Sequence, residues 1–201
     1  MYKYLKRFLD FVVSFLMLIL LSPLLLLVSI LIKIDSRGPI IFKQDRLGKN
    51  GKVFKIYKFR SMVINAEKHG VYEAKNDPRV TRVGRIIRKL SIDELPQLIN
   101  IIKGDMSIIG PRPTLTYHPW PYEEYNEFQK QRFNVRPGIT GWAQINGRKE
   151  VEWNKRIELD VYYVKNLSFF LDLKIVFKTI YKVLFMKDNY NSKSTVNKSE
   201  E

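Results

Sequence analysis

The chain has no cysteine and only two histidines, His69 and His118, among 201 residues. Without cysteine there is no disulfide scaffold, no cysteine nucleophile and no thiolate metal site. Two histidines cannot build a three-histidine zinc centre. Acid is scarce too: 20 Asp and Glu stand against 35 Lys and Arg, for a formal net charge of +15. Such an excess draws phosphates, whether on nucleic acid, an anionic membrane or a nucleotide-like substrate. Apolar residues make up 45% of the chain, which excludes wholesale disorder. The length suits one ordinary domain rather than two. There is no internal repeat and no long flexible linker.

Charge is missing altogether from Phe11 to Ile32, a run of 22 residues. As a helix it would be about 33 Å long, matching a hydrocarbon core of about 30 Å. The run is too long for a signal peptide, and no small-residue cleavage site comes after it. A soluble core helix normally keeps a polar face over six turns. Ser22-Pro23 divides the run, and proline kinks or breaks a helix. Basic residues flank both ends: Lys3, Lys6 and Arg7 before, Lys33 and Arg37 after. Lysine and arginine mark the cytoplasmic side of membrane segments. A helix that enters, bends at Ser22-Pro23 and returns keeps both flanks on that side. A kinked ordinary span, the alternative, puts one flank on the other.

Residues 1–36 are thus predicted to form a membrane-anchoring segment, 37–187 a single domain, and the polar stretch 188–201 a disordered tail. Within the domain, Pro39-Ile40-Ile41-Phe42 opens a strand, Asn50-Gly51 offers turn chemistry and Val53-Phe54-Lys55-Ile56-Tyr57 returns as a hairpin. Helical patterns lie near 61–69, 82–90, 94–103, 121–132, 152–165 and 169–187. In the last, Lys174, Lys178 and Lys182 share one face, while Phe170, Leu173, Phe177, Ile180 and Leu184 gather on another. A basic amphipathic helix of this kind suits a membrane surface; packing on the domain core is the alternative.

The chemistry centres on two adjacent carboxylates, Asp93 and Glu94. Ser91-Ile92-Asp93-Glu94 has capping-box spacing, with Ser91 as N-cap. Pro96 would then fall at the fifth helical position. With Asp93 as N-cap instead, Pro96 falls where no bond is lost. In both cases Asp93 lies where a helix start favours an ionised carboxylate, competent as a nucleophile or a hard-metal ligand. Basic residues crowd the surroundings. Arg79, Arg82, Arg85, Arg88 and Lys89 precede the pair, and Lys58-Phe59-Arg60-Ser61-Met62 lies further upstream. Pro111 and Pro113 stiffen the backbone around Arg112, whose planar guanidinium suits phosphate. A Gly-rich stretch lies downstream, from Arg136-Pro137-Gly138-Ile139-Thr140-Gly141-Trp142 to Arg148. None of these segments matches a Walker A or dinucleotide fingerprint.

Four segments together resemble the bacterial sugar transferases, specifically the small monotopic polyprenyl-phosphate phosphoglycosyl transferases. They are Lys58-Phe59-Arg60-Ser61-Met62, Asp93-Glu94-Leu95-Pro96-Gln97, Ser107-Ile108-Ile109-Gly110-Pro111-Arg112-Pro113 and Pro137-Gly138-Ile139-Thr140-Gly141-Trp142. The likeness runs from about residue 1 to 187, without the extra N-terminal membrane bundle of larger members. It implies a mixed α/β, mostly helical fold: a re-entrant membrane helix broken at Ser22 and Pro23, then a catalytic domain with a small β-hairpin and interfacial amphipathic helices. It implies transfer of a sugar-1-phosphate from a UDP-sugar to polyprenyl phosphate with release of UMP, the first membrane step of glycoconjugate assembly. It places the protein at the cytoplasmic face of the bacterial inner membrane, with membrane lipid and no nucleic acid as partners. Asp93 and Glu94 are the implied catalytic residues. The implied cofactor is Mg²⁺ at Asp93, and Lys58, Arg60, Arg88 and Arg112 are the expected phosphate binders. The rival from another class is a membrane-tethered basic module for nucleic acid or anionic lipid, which the net charge alone suits equally well.

Overall fold

The computed structural model describes residues 2–66, 77–146 and 152–185. It opens with two helices, α1 (Tyr2–Leu20) and α2 (Ser22–Asp35), bent by 62°. The bend has a local cause. Pro23 has no N–H to offer the Ile19 carbonyl, and the Ser22 hydroxyl donates to that carbonyl instead, at 2.8 Å. Among the described residues no single helix is long and apolar enough to cross a membrane, whereas the bent pair together is.

α1 is not apolar all round. Tyr2, Lys6, Asp10 and Ser14 recur at i, i+4 and form a stripe against the rest of the protein, with Asp10 and Ser14 buried. Asp10 accepts from the Ser107 hydroxyl at 2.7 Å and from the Ile108 N–H at 3.1 Å. Asp172 accepts from Tyr2 and Tyr163 and pairs with Lys6 at 2.9 Å. Phe8, Phe15, Leu16 and Leu20 are exposed on the outer side.

The predicted hairpin pairs β1 (Ile41–Leu47) with β2 (Val53–Phe59), antiparallel, from Ile41 opposite Phe59 to Leu47 opposite Val53. Its tip turns through Asn50 and Gly51, both at positive φ. A Cβ at Gly51 would also come within 2.8 Å of the Tyr122 ring. The chain continues through α3 (Arg82–Lys89), α4 (Gln97–Lys103), β3 (Ser107–Ile109), α5 (Glu127–Lys130), β4 (Gly138–Thr140), α6 (Trp142–Ile145), α7 (Trp153–Lys165) and α8 (Phe169–Leu184). β3 and β4 run parallel, Ser107 opposite Gly138 and Ile109 opposite Thr140.

Three helical expectations are corrected. Residues 61–65 are not helical: Met62 bridges to Val80 and Asn65 turns at positive φ, and a 3₁₀ turn is entered only at Ala66. The rest of that stretch, 67–69, lies outside the described residues, as does the tail 188–201. The pattern at 121–132 is broken into a 3₁₀ turn, α5 and a second 3₁₀ turn. The break arises because Asn126 caps a new helix, closing a capping box with Gln129. The 94–103 pattern becomes α-helical only at Gln97.

The core is a chain of small apolar clusters, each buried side chain contributing about 1.5–3 kcal/mol. Val28 and Ile32 pack α2 on Phe59 and Ile87. Ile56, Leu98, Ile101 and Met106 join β2 to α4. Ile109, Ile145, Tyr163 and Ile175 join β3 to α6, α7 and α8. α8 turns Ile175 and Asp172 inward and leaves Phe170, Leu173, Phe177 and Ile180 exposed.

Candidate active site

Asp93 and Glu94 lie in a 3₁₀ turn, Ile92–Glu94, between α3 and α4. Neither capping arrangement expected from the sequence is formed. Ser91 adopts the left-handed conformation, φ 57°, and its side chain caps nothing. Pro96, not Asp93, precedes the first residue of α4. A serine held left-handed costs of order 1 kcal/mol, and here it swings the chain so that both carboxylates leave α3 toward the hairpin.

The two carboxylates then part company. Glu94 Oε1 accepts from Lys58 Nζ and from Arg112 Nη2, each at 2.7 Å. Burial alone would raise its pKa, but Arg112 and Lys58 outweigh burial and hold the carboxyl well below the usual range. Asp93 is partly exposed, lines a cavity of about 610 Å³ and takes no hydrogen bond among the described residues. Burial pushes its pKa up to about 6; Lys58 opposes this, Glu94 adds to it, and Arg88 and Arg112 oppose it. Just above that value it is an ionised carboxylate with no proton donor holding it.

Each cation reaches the pair by a separate route. Lys58 stands near the end of β2. Asn100 of α4 ties that strand down, accepting from the Tyr57 N–H at 2.9 Å and donating to the Lys55 carbonyl at 2.8 Å. Arg88 lies in the last turn of α3 and donates to the Ser61 hydroxyl at 3.2 Å on the cavity wall. Arg112 comes after β3, and its own carbonyl is held by Arg132 Nη2 at 3.0 Å. Arg132 pairs in turn with Asp160 at 2.7 Å, and both side chains are 1% exposed. Lys58, Arg88 and Arg112 are thus gathered around the dyad. Arg60 lines the same cavity, but its terminal nitrogens donate to the carbonyls of Ile32, Ser36 and Arg37. It clamps the C-terminal end of α2 against β2.

Several participants carry no signal of their role in the sequence. Gln44, Arg46 and Tyr117 line the cavity. Arg132 and Asp160, 28 positions apart, support the Pro-Arg-Pro turn.

Among the described residues no group of three or more His, Asp or Glu forms a metal cage. The donors that exist are Asp93 and the second oxygen of Glu94, which takes no hydrogen bond. Two hard oxygen donors fit a divalent cation that completes its shell with phosphates and water. The site can therefore hold a diphosphate among three cations while presenting an ionised carboxylate to it.

Comparison with known proteins agrees with that chemistry. The chain is 48% identical, over 91% of its length, to the UDP-N-acetylgalactosamine-undecaprenyl-phosphate N-acetylgalactosaminephosphotransferase of Aeromonas hydrophila, of which it covers 44%. It is 45% identical, over 94% of its length, to the UDP-glucose:undecaprenyl-phosphate glucose-1-phosphate transferase of Escherichia coli (strain K12), of which it covers 42%. It is 49% identical, over 90% of its length, to the uncharacterized sugar transferase EpsL of Bacillus subtilis (strain 168), of which it covers 87%. The chain thus spans less than half the length of the first and second of these relatives and most of the third. The family model described as bacterial sugar transferase matches residues 1–186, a span that includes every residue of the site above, and the chain belongs to that family.

Proposed function

We propose that the chain is a phosphoglycosyl transferase. It moves a sugar-1-phosphate from a UDP-sugar to a polyprenyl phosphate, undecaprenyl phosphate, with release of UMP. The observation that carries this is the split dyad: an Asp93 facing a cavity with no hydrogen bond among the described residues, beside a Glu94 held by Lys58 and Arg112. The Aeromonas and Escherichia relatives are named for UDP-sugars and undecaprenyl phosphate but for different sugars, so only the class of donor is proposed.

Asp93 attacks the β-phosphorus of the UDP-sugar. The bond from that phosphorus to the bridging oxygen breaks, UMP leaves with the oxygen, and an aspartyl phosphosugar ester remains. An oxygen of polyprenyl phosphate then attacks the ester phosphorus, returning Asp93 as a carboxylate and forming the lipid diphosphate. Arg112, Lys58 and Arg88 offset the charge that develops on the diphosphate. Glu94 orients Lys58 and Arg112. A bound Mg²⁺, held by Asp93 and the free oxygen of Glu94, would neutralise diphosphate charge.

We further propose that α1 and α2 form a re-entrant hairpin at the cytoplasmic face of the inner membrane. The 62° bend and the exposed apolar residues of α1, α2 and α8 support it, Leu26, Leu27 and Phe177 among them. Because native cysteine is absent, single cysteines at the exposed positions Lys3 and Arg37 can be labelled without background. Both should react only from the cytoplasmic side, and a periplasmic label at one of them would establish a span. Pro23→Leu restores a donor to the Ile19 carbonyl and should move position 37 toward the periplasm.

Magnesium-dependent release of UMP from UDP-sugars tests the activity; a basic binding module would release none. Arg112→Lys keeps the charge but loses the planar fork. Turnover should fall ten- to hundredfold, about 1.5–3 kcal/mol. Unchanged kinetics would place Arg112 outside the phosphate site.

A further inference from the structure

The cavity that holds Asp93 extends along β1 to a wall made by Gln44, Arg46 and Tyr117, none of which the chemistry above uses. Phe42, Gln44 and Arg46 alternate on one face of the strand. Phe42 stands opposite Lys58, the partner of Glu94, in the hairpin register. Gln44 is two residues further, about 7 Å along the strand. That separation matches the stretch from the diphosphate of a nucleotide toward its base.

Gln44 is also held in one orientation. Arg46 Nη2 donates to its Oε1 at 2.6 Å, and Arg46 Nη1 donates to the Pro113 carbonyl at 3.2 Å. A guanidinium has no acceptor, so the carboxamide cannot flip without setting donor against donor. The Gln44 amide nitrogen is left over, with no hydrogen-bond partner among the described residues. An amide that commonly reads either donor or acceptor is thereby reduced to a donor. Tyr117, a residue 58% exposed, completes the wall and offers a ring on which a base can stack.

Resting on the phosphoglycosyl transferase function proposed above, we propose that Gln44, Arg46 and Tyr117 form the pyrimidine subsite, and that Gln44 selects uracil over cytosine. The amide N–H donates to the C4 carbonyl of uracil and meets the C4 amino group in cytosine. Arg46 is a positioning residue, since it acts on the base through Gln44. Its own pKa is lowered to about 10, by burial first and then by Arg112, so this end of the cavity gains from an anionic ligand.

The test is equilibrium binding of UDP and CDP to the full chain in lipid nanodiscs, for wild type, Gln44→Leu, Gln44→Glu and Tyr117→Ala. The UDP:CDP ratio is read within each protein, so a partly inactive sample does not distort it. Wild type should prefer UDP at least tenfold. Gln44→Leu should bring the ratio near one. Gln44→Glu, offering only acceptors beside Arg46, should move it toward CDP. Tyr117→Ala should weaken both nucleotides roughly tenfold and leave the ratio alone. A wild type without preference, or a wild-type ratio in both Gln44 variants, overturns the subsite. If such a protein still releases UMP from a UDP-sugar, the transferase function stands and only the subsite falls. A wild type that binds neither nucleotide and releases no UMP overturns both.

Discussion

Asp93→Asn should abolish UMP release, by at least about 10³-fold, because an amide is a poor nucleophile and the neighbouring Glu94 carboxylate is held by Lys58 and Arg112. Glu94→Gln should behave differently. Glu94 is committed to Lys58 and Arg112, so its amide loosens both cations and slows turnover, yet leaves Asp93 able to form a trappable adduct. The same split gives a pH signature. Asp93 is raised to about 6, chiefly by burial, whereas Glu94 is lowered, so only Asp93 gains a proton in the mildly acid range. A raised carboxyl is protonated below its pKa, so the first-turnover rate should be flat at pH 7–8 and fall about tenfold for each pH unit below 6. A rate that stays level down to pH 5 would remove Asp93 as the titrating nucleophile.

Arg132→Met should be the most destabilising single change near the site. It leaves Asp160 buried, 1% exposed and without its cation, at a cost of about 3–5 kcal/mol. For a chain of this size that lowers the thermal midpoint by roughly 10 °C. Replacing both partners, Arg132→Met with Asp160→Leu, should restore most of the stability, since an apolar pair of similar volume fills the space. Turnover should stay low in the double variant, because the Arg112 carbonyl has lost the Arg132 donor that fixes its turn. Differential scanning calorimetry beside a UMP-release assay separates the two effects. If the double variant recovers both stability and full turnover, Arg132 serves the core alone.

Local features of the sequence were the legible ones. Ser22-Pro23 marked the bend because the lost N–H and the hydroxyl that replaces it sit within four residues of each other. The hairpin was legible from the runs at 39–42 and 53–57 and from Asn50-Gly51 between them, and the dyad from adjacency. The capping readings failed because Ser91 turns left-handed and α4 begins only after Pro96, and no local spacing encodes that turn. The glycines of the two later motifs were visible, but not their reason. A Cβ at Gly138 would meet the Gly110 amide nitrogen at 2.1 Å, so the two segments are glycine-bearing where β3 and β4 approach. Strands of three residues carry too little pattern to be seen. Long-range polar contacts were invisible for the same reason. Asp10 reaches Ser107 across 97 positions, and Asn100 reaches back to Lys55 and Tyr57. Such pairs exist only once the fold brings them together.

The covalent route through Asp93 is the central claim, and intact-protein mass tests it most directly. Enzyme, Mg²⁺ and UDP-sugar are mixed without polyprenyl phosphate and quenched within the first turnover. The wild type should gain the mass of one sugar-phosphate, with one equivalent of UMP released, and Asp93→Asn should gain nothing. A catalytically competent wild type whose mass never changes under rapid quench, or a sugar-phosphate increment that persists in Asp93→Asn, would contradict it.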